Sequence, residues 1–259
     1  MICAGIDAGS RAIKIVLVDA DSLEVIATGT TDQGVNNDAL ASQLFHDLLR
    51  DAGCTRQDVA RVIATGYARN ATSIADSTIT EITCHACGVH HKMPDARTII
   101  EIGGQDSKLL RLNEDGAVYD FAMNDRCAAG TGRFLEVVAT RLGVEIDELG
   151  DMASKSKNPA AISSMCIVFA ETEIVGLLAS GAAPEDIVAG VQNSIATRVS
   201  GMVGRNVTPP VVFTGGVAMV PGMDKALQAV IGQPVAIVPD PQMTGALGAA
   251  ILASHSRQH

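Results

Sequence analysis

The chain has 259 residues, of which 47% are hydrophobic and 19% charged, so it has enough apolar material to bury a sizeable core and is unlike a disordered chain. Its 29 acidic residues outnumber its 19 basic ones, and the resulting net charge of −10 argues against binding nucleic acid through a broad basic face. Because residues 1–10 lack a signal-peptide core and no apolar run approaches the roughly 20 residues of a membrane span, we expect a cytoplasmic protein without a membrane segment.

The first part of the chain predicts three strands joined by tight turns, followed by alternating helix and strand. Apolar, β-branched runs separated by turn-forming residues indicate the strands, and leucines at i, i+4 spacing indicate the first helix. The predicted elements are strands at 2–7, 13–19 and 23–29, a helix at about 37–52, a strand at 61–65 and a helix at roughly 72–91.

The same pattern restarts near residue 97 with a second set of three strands, again with glycine and aspartate at the first turn. The helices that follow are longer, and the last one consists mostly of small residues. The predicted elements are strands at 97–102, 108–112 and 117–122, helices at about 129–142, 166–180 and 185–205, a strand at 211–214, a helix at 222–231, a strand at 235–238 and a helix at about 244–254.

Two halves of βββαβα type predict a duplicated α/β protein whose two lobes face each other across a cleft lined by glycine turns. We expect a first lobe at residues 1–95 and a second lobe at 96–259. The final helix, at about 244–256, is expected to pack back on the first lobe.

Three glycine turns are candidates for phosphate binding, at residues 9–10, 103–104 and 215–216. Glycine lets backbone N–H groups approach a phosphate closely because no Cβ intervenes. One such turn is usually only a turn, but three of them, two beside Asp7 and Asp106, are less easily explained by chance. Carboxylates suit Mg²⁺ held through water and could orient an attacking water molecule. The sequence has no GxxxxGK[ST] motif, which excludes a P-loop, and its first turn lacks the GxGxxG fingerprint of Rossmann folds.

Six cysteines are too few for a disulfide scaffold in a chain of this length, so each is expected to be a packed thiol or a metal ligand. Cys84 and Cys87 form a CxxC pair, but the segment reads as a helix and no second CxxC exists, so zinc binding with a nearby histidine is a weak hypothesis. Cys3 and Cys54 are interpreted as packing residues.

Cys127 and Cys166 differ because each directly precedes a predicted helix. A helix N-terminus lowers the pKa of a thiol and offers unpaired N–H groups to a negatively charged ligand. From the residues alone, packed thiols remain the commoner outcome. An iron–sulfur cluster of the [4Fe–4S] type needs four thiolates, and two chains related by a two-fold axis would supply four.

Three segments resemble the two phosphate loops and the adenosine loop of the actin, Hsp70 and sugar-kinase superfamily: GIDAGS at 5–10, EIGGQDSK at 101–108 and FTGGVA at 213–218. Two further segments, NDRCAAGTGRFLE at 124–136 and SSMCIVFAETE at 163–173, resemble one branch of it. That branch contains the ATP-dependent activators of 2-hydroxyacyl-CoA dehydratases and the related ATPase subunits of benzoyl-CoA reductases. The resemblance covers nearly the whole chain and extends to TGYARN at 65–70, EITCHA at 81–86 and GALGAA at 245–250.

This resemblance implies a duplicated actin-like ATPase fold, of the ribonuclease H-like type, that hydrolyses ATP with Mg²⁺. It further implies a [4Fe–4S] cluster shared between the two subunits of a homodimer and bound by Cys127 and Cys166 of each. The electrons would come from flavodoxin or ferredoxin and pass to an acyl-CoA dehydratase or reductase partner. Asp7, Gln105 and Asp106 would act in catalysis. The residues implied in nucleotide binding are Gly9, Ser10, Lys14, Gly103, Gly104, Gly130, Gly132, Gly215, Gly216, Val217 and Gln242.

Two other functions fit the phosphate turns. A small-molecule kinase of the same superfamily would phosphorylate a sugar or an acid and would need no cluster. A nucleotide-dependent assembly or chaperone-like protein would also lack one. The family pattern is broken at Arg11, where relatives commonly carry a small hydroxyl residue.

Overall fold

Ten strands form two five-stranded mixed sheets in the computed structural model, which describes residues 1–163, 166–203 and 207–255. The described residues divide into two compact units. The first contains Met1–Ala96, Leu112–Tyr119 and the C-terminal segment from Val238, and the second contains Arg97–Arg111 and Asp120–Ile237. The α/β class and its duplication, predicted from the sequence, are both confirmed by this arrangement.

The sheet of the first unit has the strand order β3-β2-β1-β4-β5. Its central strand β1 pairs antiparallel with β2 and parallel with β4, so a hairpin and a crossover connection meet at one strand. The elements of this unit are β1 (Ile2–Ala8), β2 (Ala12–Asp19), β3 (Val25–Asp32), α1 (Asn37–Asp51), β4 (Val59–Thr65), β5 (Ser77–Thr78), α2 (Glu81–Lys92) and, at the end of the chain, α8 (Thr244–His255).

The sheet of the second unit repeats this order as β8-β7-β6-β9-β10, with β6 antiparallel to β7 and parallel to β9. Each strand of the second sheet has the same pairing partners as its counterpart in the first sheet, as expected for the predicted duplication. The elements are β6 (Thr98–Ile102), β7 (Ser107–Leu112), β8 (Val118–Asn124), α3 (Gly132–Leu142), α4 (Glu148–Ser154), α5 (Ile167–Ala179), α6 (Pro184–Val203), β9 (Val211–Thr214), α7 (Met223–Ile231) and β10 (Val235–Ile237).

Helices cover both faces of the first sheet. Phe45 and Leu49 of α1 pack against one face with apolar residues of β1, β2 and β4. Small residues of α8 pack against the other face, together with Cys84 of α2. This approach is so close that a Cβ atom on Gly5 of β1 would overlap the Ala246 carbonyl oxygen, and one on Gly248 would overlap the Cys84 carbonyl oxygen. The small-residue composition of α8 is therefore a packing requirement.

The second unit has an aliphatic core with few aromatic rings. Phe134 and Val138 of α3 pack with Ile195 of α6 and with Ile100 and Phe213 of the sheet, and all five are fully buried. Among the described residues, no helix is both long and apolar enough to cross a membrane.

Several predicted boundaries were wrong. The helix expected at about 72–91 begins only at Glu81, because Thr80 caps it by accepting a hydrogen bond from the Thr83 amide and the residues before it form β5. Hydroxyl side chains favour such caps and turns over helix interiors. The helix expected from 129 starts at Gly132 after a 3-10 turn at Ala128–Gly130, and α4 was not predicted. The predicted ends of two helices at 204–205 and 256 lie outside the described residues.

Gly248→Ala is expected to lower the free energy of unfolding by about 1–3 kcal/mol or more, because its methyl group would have to displace the backbone of α2. Gly201→Ala is the matched control: it lies in α6, and a methyl group on its Cα would meet no atom of the described residues within 4 Å, so it should be neutral or stabilise by up to about 1 kcal/mol. Urea unfolding followed by circular dichroism measures both, and equal effects would contradict the packing argument.

Candidate functional site

The first phosphate-turn candidate is the β1–β2 hairpin. Asp7, at the end of β1, is opposite Lys14 in register, and the Lys14 Nζ lies 3.4 Å from the Asp7 Oδ2. The Gly9 amide closes the turn by donating to the Ala12 carbonyl over 3.2 Å. The Asp7 side chain is 7% exposed and that of Lys14 is 17% exposed, so the acid is buried and the lysine is partly exposed.

The second hairpin, β6–β7, repeats this geometry with an acid that was not among the predicted site residues. Here Glu101 is opposite Lys108, and the Lys108 Nζ lies 2.9 Å from the Glu101 Oε2. The turn closes from the Gly103 amide to the Asp106 carbonyl over 3.0 Å. Asp7 therefore has Glu101 as its structural counterpart, because strand register decides which residues are equivalent.

Asp106 lies in the turn, where the first hairpin has Ala12, and it adds a second acid to the lysine. Lys108 Nζ contacts the Asp106 Oδ2 at 2.7 Å, so this lysine holds two carboxylates. The other oxygens of both acids face the glycine turn: a Cβ on Gly103 would lie 2.8 Å from the Asp106 Oδ1 and 3.2 Å from the Glu101 Oε1. Lys108 is 2% exposed, so its ammonium group interacts with these two carboxylates rather than with solvent.

In each unit a glycine lies beside the acid of the hairpin, directly after the strand that pairs in parallel with it, β4 or β9. Thr65 pairs with Asp7 and Thr214 with Glu101, and the next residues, Gly66 and Gly215, have φ of +92° and +91°. A Cβ on Gly66 would lie 2.5 Å from the Asp7 Oδ1, and one on Gly215 would lie 2.7 Å from the Glu101 Oε1. Glycine is required at both positions by the left-handed backbone and by the carboxylate beside it.

The structure groups the predicted residues by unit. The turn at Gly215–Gly216 leads into a 3-10 segment in which Val217 is buried, and a Cβ on Gly132 would lie 3.2 Å from the Val217 Cγ2. Gln242 lies half-buried in a 3-10 turn just before α8. The first unit thus carries Asp7, Gly9, Ser10, Lys14 and Gln242, and the second carries Gly103, Gly104, Gln105, Asp106, Gly130, Gly132, Gly215, Gly216 and Val217.

Cys127 is exposed and directly precedes the 3-10 turn at Ala128–Gly130. The Asn124 side chain holds its backbone from both sides: the Cys127 amide donates to the Asn124 Oδ1 over 3.0 Å, and the Asn124 Nδ2 donates to the Cys127 carbonyl over 2.8 Å. A Cβ on Gly130 would lie 3.3 Å from this Nδ2, so the glycine makes room for the asparagine. Thr131 then caps α3.

Cys166 is exposed and caps the N-terminus of α5, where the Ala170 amide donates to its carbonyl over 2.8 Å. Glu173 of the same helix accepts hydrogen bonds from the Ser163 amide and hydroxyl at 2.9 and 2.7 Å. Arg141 of α3 donates to the Glu171 Oε1 over 2.6 Å and ties the two helices that follow the cysteines. The motif residues 164–165 lie outside the described residues.

The remaining cysteines have different surroundings. Cys3 and Cys84 are buried, and Cys54 and Cys87 are half-buried. Burial raises the pKa of the Cys84 thiol to about 12 and that of Cys87 to about 11, which opposes the thiolate form that a metal needs. Within the described residues, no group of three or more histidine, cysteine, aspartate or glutamate side chains is arranged to hold a metal ion.

Sequence reasoning missed Glu101, Lys108, Gly66 and Asn124. The seven-residue spacing from acid to lysine, common to Asp7–Lys14 and Glu101–Lys108, was a usable signal for the first two. Asn124 was visible only as part of a motif, since its role depends on a local backbone turn.

Comparison with known proteins identifies the fold and the family. A model of the "BadF/BadG/BcrA/BcrD ATPase family" matches residues 4–253. The 2-hydroxyisocaproyl-CoA dehydratase activator of Clostridioides difficile is 45% identical over 98% of this chain and 95% of its own length.

Solved structures agree. The (R)-2-hydroxyglutaryl-CoA dehydratase component A of Acidaminococcus fermentans superposes with a TM-score of 0.95 at 38% identity, covering 100% of both chains. The Clostridium difficile activator with bound ADPNP gives 0.93 at 43% identity, covering 99% of this chain and 95% of that one. A hexokinase from Thermus thermophilus, 13% identical with a TM-score of 0.54, shares the fold alone. The predicted actin-like ATPase fold is therefore confirmed.

Lys108→Met is expected to lower the free energy of unfolding by roughly 3–5 kcal/mol, because it leaves the buried Glu101 carboxylate without its counter-ion. Lys14→Met should cost less, since Lys14 is partly exposed and its contact is longer. The double variant Lys108→Met, Glu101→Gln should be more stable than the single one. Urea unfolding tests this order, and equal losses for both lysines would contradict it.

Thiol alkylation should separate the cysteines. In metal-free native protein at about pH 8, iodoacetamide should modify the exposed Cys127 and Cys166 first. The thiolate reacts, and a pKa raised to about 11 leaves roughly one thiolate in a thousand at Cys87 and fewer at Cys84. Both should react only after unfolding, as peptide mass spectrometry would report. Modification of Cys84 in the native protein as fast as Cys127 would refute this assignment.

Proposed function

Since this chain belongs to the BadF/BadG/BcrA/BcrD ATPase family, we propose that it is an ATP-hydrolysing iron–sulfur activator. In this function it transfers low-potential electrons to an acyl-CoA dehydratase or a benzoyl-CoA reductase-type partner. The observation that carries the proposal is that two of its six cysteines, Cys127 and Cys166, are exposed and each directly precedes a helical segment.

The donor chemistry fits half of a [4Fe–4S] cluster. Such a cluster takes four thiolates, and when bound it accepts and releases single electrons at a potential that its surroundings tune. Cys127 and Cys166 supply two accessible thiols, whereas burial disfavours ionisation of Cys84 and Cys87. A second copy of the chain, related by two-fold symmetry, would provide the other two.

The local structure suits a negatively charged ligand at Cys166 and fixes the backbone of Cys127. Cys166 stands at the N-terminus of the 13-residue helix α5, where the helix dipole and unpaired N–H groups stabilise an anion. Asn124 fixes the peptide groups of Cys127 and so restricts where its side chain can point. These residues would orient the thiolates before any ligand binds.

The surface beside Cys166 supports a homodimer. Val168 and Phe169 are 63% and 69% exposed, and Val175, about two helical turns after Val168, is 45% exposed. Only Ala170 and Ile174 of α5 are buried. A large apolar surface next to the thiol is typical of an interface, and a second chain that completed the thiolate set would cover it.

Each hairpin is proposed to contact the phosphates of ATP. Gly9, Ser10 and Lys14 would act on the first hairpin, where the partly exposed lysine is long enough to move from Asp7 to a phosphate. On the second hairpin Gly104 would offer its backbone N–H group, and Gly103, whose amide closes the turn onto the Asp106 carbonyl, would let the phosphate approach without a Cβ in the way. Gly215, Gly216, Val217 and Gln242 are proposed to line the adenosine moiety.

The carboxylates have a separate proposed role. Asp7, Asp106 and, by its matching register, Glu101 would hold Mg²⁺ through water molecules, since this ion keeps several waters when bound. Gln105, exposed in the second turn, would orient the attacking water. We propose flavodoxin or ferredoxin as the electron donor.

Anaerobic purification followed by iron and sulfide assays tests the proposal. Wild type should contain about four irons per two chains, the stoichiometry of one shared cluster. Cys127→Ser and Cys166→Ser should each lose the iron. The matched control is Cys54→Ser, which changes a half-buried thiol whose Sγ donates to the Ala52 carbonyl over 3.4 Å, and this variant should keep the iron.

Iron-free wild type that still hydrolyses ATP would overturn the activator function and favour the small-molecule kinase. Loss of iron in the Cys54 variant, equal to that in the other two, would show that the assay reports folding rather than ligation.

A further inference from the structure

The second phosphate turn is bonded directly to the start of helix α3. The Gly132 amide donates to the Gly103 carbonyl over 2.9 Å, and the Arg133 amide donates to the Gly104 carbonyl over 2.8 Å. These amides belong to the first turn of the helix, which has no partner for them within the helix itself. The turn proposed to bind phosphate therefore caps α3 together with the Thr131 hydroxyl, which also accepts from the Arg133 amide.

The same helix start is tied to Cys127 by a short chain of hydrogen bonds. The Thr131 hydroxyl donates to the Ala128 carbonyl over 2.7 Å, and the Gly130 amide donates to the Cys127 carbonyl over 3.4 Å. Asn124 holds the Cys127 peptide from the other side. Only four residues separate Cys127 from the bond at Gly132, and each turn between them is hydrogen-bonded.

The contact is tight at Gly132. A Cβ there would lie 3.1 Å from the Gly103 oxygen, 3.2 Å from the Val217 Cγ2 and 3.4 Å from the Gly104 Cα. A methyl group there would therefore force these neighbouring atoms to shift by roughly a few tenths of an ångström and would strain the two backbone bonds. The Gly132 amide already donates to the Gly103 carbonyl, so the absence of a side chain at Gly132 allows this contact. A direct hydrogen bond from the same amide to a phosphate would have to break the bond to Gly103.

We propose that the backbone of Gly132 and Arg133 is a positioning element that couples the phosphate turn at Gly103–Gly104 to Cys127. A displacement of the turn on nucleotide binding would move the start of α3 and, through the 3-10 turn, the cysteine. This route lies wholly within the second unit. The inference rests on the proposed function, because it assumes nucleotide at the turn and a cluster at Cys127.

Coupling between two sites is reciprocal, which gives a sharp test. The affinity for ADP and for a non-hydrolysable ATP analogue is measured by anaerobic calorimetry with the cluster oxidised and reduced. For each nucleotide, the ratio of its affinity in one redox state to its affinity in the other is expected to be roughly 5- to 150-fold in wild type, the usual range for coupled sites. The midpoint potential, followed by EPR, should shift by the matching amount, about 59 mV for each tenfold.

Gly132→Ala is expected to reduce this ratio to roughly 1–3, because two backbone bonds of ordinary strength account for most of such a coupling. The ratio is the readout, so a change in affinity common to both redox states does not affect it. The control is Gly201→Ala in α6: a Cβ on Gly201 would meet no atom of the described residues within 4 Å, so this variant should keep the wild-type ratio. An unchanged ratio in Gly132→Ala would overturn the proposal.

Wild type alone provides a second test if Gly132→Ala does not fold. Hydrogen–deuterium exchange should show that the nucleotide alters amide exchange in the peptide covering residues 128–136, and that cluster reduction alters it at residues 103–106. Absence of both effects would overturn the coupling route. Wild type without iron would instead overturn the proposed function.

Discussion

In both hairpins a buried carboxylate faces a lysine across two antiparallel strands, and the geometry of the glycine turns depends on this pair. Asp7 with Lys14 and Glu101 with Lys108 occupy the same register, and a left-handed glycine, Gly66 or Gly215, approaches each acid from the adjacent parallel strand. A buried carboxylate without a partner would be costly, and in each hairpin the lysine opposite the acid offsets that cost. The two hairpins differ in their lysines. Lys108 is buried and contacts two acids, whereas Lys14 is partly exposed and has one acid as a longer contact.

This divergence supports the different roles proposed for the two units. A lysine that can leave its acid suits a phosphate, and a lysine that cannot leave suits the positioning of carboxylates for a hydrated cation. The unit with the locked lysine is also the one that carries both exposed cysteines. Its phosphate turn caps α3 and so lies a few residues from Cys127. Under the proposed function, the phosphate contact at Gly103–Gly104 and the Cys127 thiol would therefore be joined by one hydrogen-bonded stretch of backbone.

Much of the fold could be predicted from the sequence because hydrophobic pattern and turn residues agree along both halves. The hairpin sets, the duplication and the turn glycines followed from local signals. The role of Glu101 was not predicted, since Asp106 was the acid visible at the second turn, whereas strand register makes Glu101 the counterpart of Asp7. The start of α2 was misplaced because five hydroxyl residues before it compete with helix formation. The bond from Gly132 to Gly103 joins residues distant in sequence, and no local pattern encodes it.

The central claim is that two copies of the chain share one cluster through Cys127 and Cys166. Anaerobic sedimentation velocity, recorded at once in the ultraviolet and in the visible absorption of iron–sulfur clusters, tests it most directly. A shared cluster predicts that all visible absorbance sediments with a species of twice the mass of one chain. It also predicts that chelating the iron moves the protein toward monomer. Visible absorbance that travels with the monomer, or a dimer that carries none, would contradict it.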